Sequence, residues 1–304
     1  MSDAPMIAIH RATRHYGPVR AVDGVDLTVA RGEVFGLMGH NGAGKSTLFR
    51  MMLGLEPPTG GEIRVDGVAV NGRNFRAVRR RIGYLPEHVV LYDNLTGLET
   101  LTFFAKLKGA PIDSCAAVLA RVGLAEAGRR RVGEYSKGMR QRLGVAQALL
   151  GSPHLLFLDE PTTGLDPEGI RAFYRLLREL KAAGVTIVLS SHSLAEVQER
   201  LDRLAIMVAG TVRVTGTVQQ LREQVDLPLS IRMTVRRDAL GDVRNALAAL
   251  PVLDVETAGD GLRVRCRRES KMAVLAALAL RRDDVLDVDV REPSLEDVFF
   301  GVAE

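Results

Sequence analysis

The stretch Gly39-His40-Asn41-Gly42-Ala43-Gly44-Lys45-Ser46-Thr47 constrains this chain more than any other. It fits the phosphate-loop pattern G-x-x-x-x-G-K-[ST], and both of its flanks agree with it. The apolar run Val34-Phe35-Gly36-Leu37-Met38 before it predicts a strand. Leu48 to Leu53 after it predicts a helix. Each residue type answers a physical need. Gly42 and Gly44 can take positive φ, which lets backbone N–H groups approach phosphate oxygens. The following helix points its positive dipole end at the anion. Lys45 supplies a mobile charge for the β- and γ-phosphates, and the Ser46 hydroxyl is a hard oxygen ligand suited to Mg²⁺.

The remaining bulk properties exclude more than they assign. A chain of 304 residues holds a full core and predicts two domains. The net charge of +4 is small, and the runs Arg79-Arg80-Arg81 and Arg129-Arg130-Arg131 are not interleaved with aromatics. They read as solvated faces, and no nucleic-acid partner is expected. The two cysteines, Cys115 and Cys266, form no framework or paired motif, which fits a reducing cytosol. The N-terminal residues carry no basic segment or apolar signal core. The longest apolar run, Ala273 to Leu280, is far short of the ~20 residues that span a bilayer. Work at a membrane would need a partner that supplies the span.

Along the chain, short alternating strands are expected over 6–30, with Tyr16 on a loop where it could stack on a base. A hairpin is expected around Asp66-Gly67, and a short strand over Ile82 to Pro86. From about 90 to 150 the pattern is helical, with helices near 95–108, at Cys115 to Val122 and at Ser136 to Leu150. Three apolar runs follow, ending at Asp159-Glu160, Ser190 and Val208. They are separated by helices at about 168–183 and 193–200, the pattern of a doubly wound α/β sheet. Residues 217–227 read as a short helix and linker. The tail reads strand, helix, two strands, helix, strand, a ferredoxin-like order, with a last helix from Ser294. The expected division is therefore 1–217, then a linker at 218–227, then an α+β ferredoxin-like domain at 228–304.

The carboxylates Asp159 and Glu160 end an apolar strand, where Asp159 would hold Mg²⁺ and Glu160 could orient or deprotonate an attacking water. His192 ends the next strand and could donate to the γ-phosphate or position water. Ser136 caps a helix whose N-terminus is an anion site.

With these motifs in this order, residues 6–220 resemble the nucleotide-binding domain of ABC transporters. The resemblance implies a P-loop cassette with an N-terminal antiparallel β-subdomain and an inserted helical subdomain. It assigns ATP contacts to Tyr16, the loop residues Gly39, His40, Asn41, Gly42, Ala43, Gly44, Lys45, Ser46 and Thr47, and to Glu87, Ser136, Gly138 and Asp166. Ser46, Glu87 and Asp159 are assigned to Mg²⁺, and Lys45, Glu160 and His192 to hydrolysis. Glu87 stands where the family usually has Gln. Lys137 and Met139 replace a Gly and the Gln of the commoner Leu-Ser-Gly-Gly-Gln signature. The family further implies a head-to-tail homodimer, with ATP between the phosphate loop of one copy and the signature of the other. It also implies integral membrane permease subunits, which would hold the protein peripherally at the cytoplasmic face of the inner membrane.

A closer resemblance is to the ATPase of the transporter that matures the copper sites of nitrous oxide reductase, which would add a periplasmic accessory protein. The alternatives are a drug or lipid exporter ATPase of the same family, and an ABC-type ATPase acting on nucleic acid or ribosomes. The last lacks its usual tandem cassettes, coiled coils and zinc insertions here. A P-loop kinase is disfavoured by the signature-bearing helical block between Lys45 and Asp159. The tail is expected to add dimer contact, with ligand sensing as the other reading.

Overall fold

Val34–Met38 is buried at every position, and Leu155–Asp159 and Thr186–Ser191 are buried in the same way. Such runs form strands covered on both faces. The computed structural model describes residues 4–191, 200–224, 227–292 and 297. It divides into two compact units, Met1–Thr217 and Val218–Glu304.

The first unit opens with a long hairpin, β1 (Ile7–Tyr16) and β2 (Val19–Val29). Tyr16 is therefore the last residue of a strand and not a loop residue. Gly17, at φ 57, makes the turn so tight that pairing runs to the Tyr16–Val19 pair. After β3 (Val34–Met38) and α1 (Lys45–Met52) come β4 (Gly60–Val65) and β5 (Val68–Ala69). Asp66 and Gly67 both take positive φ between them, as a two-residue hairpin turn requires. Strands β2, β1, β4 and β5 form the antiparallel sheet in that order. Its inner face (Ile7, Ile9, Leu27, Ile63) shares one core with Leu48, Phe49, Met51 and Met52 of α1 and Phe157 of the second sheet. Phe49 meets Phe157 edge-on at 5.5 Å. The methionines beside the phosphate loop are packing residues.

The second sheet adds β6 (Ile82–Leu85), β7 (Leu155–Asp159), β8 (Thr186–Ser191), β9 (Arg203–Val208) and β10 (Thr211–Gly216). Its order is β10-β9-β3-β8-β7-β6, parallel except for β10. Parallel strands end at one edge, so the residues after β3, β6, β7 and β8 meet there.

Helix α2 (Phe75–Arg79) precedes β6, and between β6 and β7 lies the helical block α3 (Gly97–Lys108), α4 (Cys115–Arg121) and α5 (Lys137–Leu149). Thr96 and Glu99 form a reciprocal capping box on α3. Lys108, in the last turn of α3, donates to the carbonyls of Ile82 (3.0 Å) and Leu150 (2.7 Å), tying the block to the start of β6 and the end of α5. Helix α6 (Pro167–Ala182) follows β7. The helix expected at 193–200 begins outside the described residues.

The second unit starts with α7 (Val218–Gln224), so most of the expected linker is helical. It continues with β11 (Leu229–Val235), α8 (Leu240–Ala248), β12 (Asp254–Ala258), β13 (Gly261–Cys266), α9 (Lys271–Ala279) and β14 (Val285–Arg291). The sheet order is β12-β13-β11-β14, antiparallel throughout. Alternate residues of β11 and β13 pack with Val243, Leu247, Val274 and Leu278 of the helices. The helix expected from Ser294 lies outside the described residues, apart from helical Asp297.

Candidate functional site

The phosphate loop turns out of β3 and into α1 through Gly42 (φ 83) and Gly44 (φ 100). A side chain on Gly44 would also meet the Ala21 carbonyl oxygen at 2.2 Å. The loop is closed by Ala43 N–H donating to the His40 carbonyl, and buttressed from the β9–β10 turn by Gly210 N–H on the Ala43 carbonyl. Gly39 and Ala43 are buried, while His40, Asn41 and Gly42 form the exposed crest. His40 Nδ1 lies 2.7 Å from the Asn41 carbonyl oxygen.

Lys45 is only 6% exposed, and its ammonium folds back to donate to the carbonyls of Gly39 (2.6 Å) and His40 (3.2 Å). Desolvation lowers its pKa; the charges of Glu160, Asp159 and Glu87 work against that and favour the ammonium. These carboxylates from the ends of β7 and β6 thus act on the phosphate-loop lysine, as the shared sheet edge requires. Ser46 and Thr47 lie half-buried on the first turn of α1.

Asp159 is paired in register with Ser190 across β7 and β8. The Ser190 hydroxyl donates to Asp159 Oδ1 at 2.5 Å and accepts the N–H of Glu160 at 3.0 Å. Asp159 and Glu160 are 3% and 7% exposed. Glu160 holds φ 49, an uncommon conformation for a non-glycine residue and one that recurs where function is built. Sequence reasoning noted Ser190 only as the end of a strand. The signal for its role is a hydroxyl at the C-terminal edge of the strand next to the acidic one. His192 lies outside the described residues, so its predicted place is untouched. Glu87 is exposed, beyond the end of β6. Tyr16 is 41% exposed; its hydroxyl donates to Glu56, and the Arg14 guanidinium lies 4.7 Å from the ring centroid on one face.

Ser136 caps α5, its oxygen accepting Met139 N–H at 3.2 Å. That leaves the hydroxyl hydrogen to donate to a further acceptor. Gly138 follows on the first turn, where a Cβ would stand 3.4 Å from the Gly164 carbonyl oxygen. Asp166 caps α6 by accepting Gly169 N–H at 2.8 Å, so part of its carboxylate is committed to a structural bond. Cys266, Met233 and Met272, the sulfur-bearing side chains of the second unit, are not brought together into a set that could hold a soft metal. Met272 is 71% exposed and Cys266 fully buried. Cys266 opposes Leu229 while Met233 opposes Leu262, roughly 13 Å along the strand.

The fit to a bound nucleotide is therefore good. A glycine cradle, a poised ammonium and a helix N-terminus converge on one point. A hydroxyl and a buried carboxylate beside them are the hard donors Mg²⁺ prefers.

The comparisons with known proteins agree. The family model described as ABC transporter matches residues 22–163. The daunorubicin resistance ATP-binding protein DrrA3 of Streptomyces coeruleorubidus is 38% identical, over 96% of this chain and 94% of that protein. The bacitracin transport ATP-binding protein BcrA of Bacillus licheniformis is 36% identical, over 94% of each. Among solved structures, a dimeric bacterial ABC transporter cassette superimposes with a TM-score of 0.65 at 26% identity, covering 70% of this chain and 99% of that one. Fold, loop and relatives converge: the chain belongs to the ABC transporter family and is an ATP-binding, ATP-hydrolysing subunit of that family.

Proposed function

We propose that this protein powers an exporter of amphipathic, drug-like or lipid-like compounds through a separate membrane permease. The observation that carries the reading is that DrrA3 and BcrA, named for antibiotic resistance and transport, match over nearly their whole length, tail included. Copper-site maturation for nitrous oxide reductase, with its periplasmic accessory protein, draws no support from these relatives.

In this reading ATP is held by residues 39–47, with adenine against the Tyr16 face opposite Arg14. Ser46, Asp159 and Glu87 would hold Mg²⁺, which would neutralise phosphate charge during transfer. Lys45 leaves the loop carbonyls for the β- and γ-phosphates. Glu160, with its backbone fixed by Ser190, orients and deprotonates the attacking water, assisted by His192. Ser136 and Gly138 face the nucleotide of a second copy, and Asp166 lies at that same interface.

Permease contact is assigned to the surface beyond Glu87. There Val90, Tyr92, Phe103 and Leu107 are exposed, and Tyr92 meets Phe103 edge-on at 5.9 Å. An aromatic patch of this kind marks an interaction surface. Among the described residues no helix is long and apolar enough to cross a membrane, which fits peripheral attachment through the permease.

We further assign 1–217 to the ATPase domain, 218–227 to the connection and 228–304 to a ferredoxin-like accessory domain. Supporting this is the order β12-β13-β11-β14 with helices after the first and third strands of the unit.

The test is energised efflux. Co-expressed with its permease in a drug-sensitive host, the protein should lower daunorubicin accumulation, and the Glu160→Gln variant should not. Unchanged accumulation of every amphipathic drug tried, or co-purification with ribosomes or nucleic acid in place of the permease, would contradict the reading.

A further inference from the structure

Gln141 has no part in the site as drawn above, yet it is a polar side chain only 7% exposed. It sits on α5 about 7 Å along the axis from Ser136. Its Nε2 donates to the carbonyl of Pro161 at 3.0 Å. The orientation of the amide follows from chemistry: the partner is a carbonyl, so the NH₂ group must face it. Pro161 directly follows Glu160, and having no N–H it offers only that carbonyl to its surroundings.

Two contacts on the same face of α5 reinforce the bond. Gly138 lies against the Gly164 carbonyl and Leu165. The aliphatic stem of Lys137 covers Gly164, where an added Cβ would stand 2.7 Å from Lys137 Cδ and Cε. Lys137, Gly138 and Gln141 are spaced as neighbours on one helix face.

The segment they touch is the turn that presents Glu160. It is closed by Thr163 N–H on the Glu160 carbonyl (3.2 Å) and Leu165 N–H on the Thr162 carbonyl (3.1 Å). It ends where Asp166 caps α6. Ser190 holds its first peptide. Gln141 holds the peptide two further on, from a different element.

We propose that Gln141 is a positioning residue for hydrolysis: it pins the turn carrying Glu160 to the first turn of α5, so that the Ser136 end and the acidic turn of one chain move as one body. The inference rests on the reading above, in which Glu160 serves the chain's own nucleotide and Ser136 the partner's. Phosphate capture at Ser136 is then felt at Glu160 of the same chain, and the bond between α5 and Pro161 carries it.

The test is steady-state ATP hydrolysis by the full-length protein, with binding of a fluorescent ATP analogue measured alongside. Gln141→Met keeps the volume of the buried side chain and removes the donor. It should bind the analogue within about two-fold of wild type while kcat falls about ten-fold or more, as expected for a buried carbonyl left unpaired. Gln141→Glu adds a readout that packing alone cannot move. Its carboxylate can only accept and faces a carbonyl, whereas the protonated acid can donate to it. Burial raises a carboxyl pKa, so the variant's kcat relative to wild type should recover between about pH 8 and about pH 6.

Wild-type kcat in both variants overturns the proposal, as does a parallel loss of affinity and kcat with no recovery at low pH. If Gln141→Met does not fold, the pH profile of Gln141→Glu decides alone. Glu160→Gln run beside them separates the two levels. If it turns over normally, the reading of Glu160 falls and the proposal with it. If it is inactive while both Gln141 variants are normal, the proposal alone falls.

Discussion

Lys45 and Asp159 show how single residues here are held in place by backbone and hydroxyl groups. The ammonium rests on two loop carbonyls, and the carboxylate rests on Ser190. Ser190 is the more economical device, since one hydroxyl serves Asp159 as donor and Glu160 as acceptor. Replacing it with alanine leaves a buried carboxylate oxygen and a buried N–H each short of a partner, at a cost of about 1–3 kcal/mol. Ser190→Ala should therefore lower kcat by about 10- to 100-fold and raise the Mg²⁺ concentration needed for half-maximal rate. An unchanged Mg²⁺ titration with an unchanged kcat would remove Ser190 from the site. The loop residues were legible in the sequence because glycine, lysine and serine at that spacing have one common physical use. Ser190 and Gln141 were not, because their roles depend on which strand lies beside β7 and which helix face meets Pro161.

At the scale of elements, the buried strands could be read directly, since β3, β7 and β8 are continuous apolar runs. Tyr16 was misplaced because alternation alone does not show that the β1–β2 pairing continues to the Gly17 turn. Residues 218–224 were expected to mix helix and linker and are helix in the structure. Lys108 shows what propensity cannot. It fits a helix C-terminus on charge grounds, yet its ammonium is spent on fastening α3 to β6 and α5. Burial lowers its pKa from 10.5 to about 8. Between those values the unfolded chain binds the proton and the folded chain does not. Stability from this group therefore rises as pH climbs from about 8 to about 10.5, and it is flat below about 8. Denaturant midpoints of wild type measured across that window should carry this rise, and Lys108→Met should lack it. Equal pH slopes for the two proteins would show that Lys108 is not the buried group described.

For the whole molecule, two surfaces must be used by partners if the account holds. The first is the aromatic patch of Tyr92 and Phe103. Phe103→Asp should abolish co-purification with the permease while leaving ATPase kcat of the isolated protein within about two-fold, because α3 stays capped by Thr96 and Glu99. Retained co-purification would move the docking surface elsewhere. The second is the Ser136 end of α5, which presents a helix N-terminus and an undonated hydroxyl to an acceptor outside the chain's own phosphate loop.

In the proposed reading that second surface makes each chain half of a hydrolytic site, and mass in solution tests it most directly. Glu160→Gln, expected to bind ATP without consuming it, should run as a monomer without nucleotide in size-exclusion chromatography with light scattering. With ATP and Mg²⁺ it should double in mass and retain two nucleotides per dimer. Combining it with Ser136→Ala should weaken that doubling. A protein that binds ATP and stays monomeric, or dimerises equally well without it, would contradict the account.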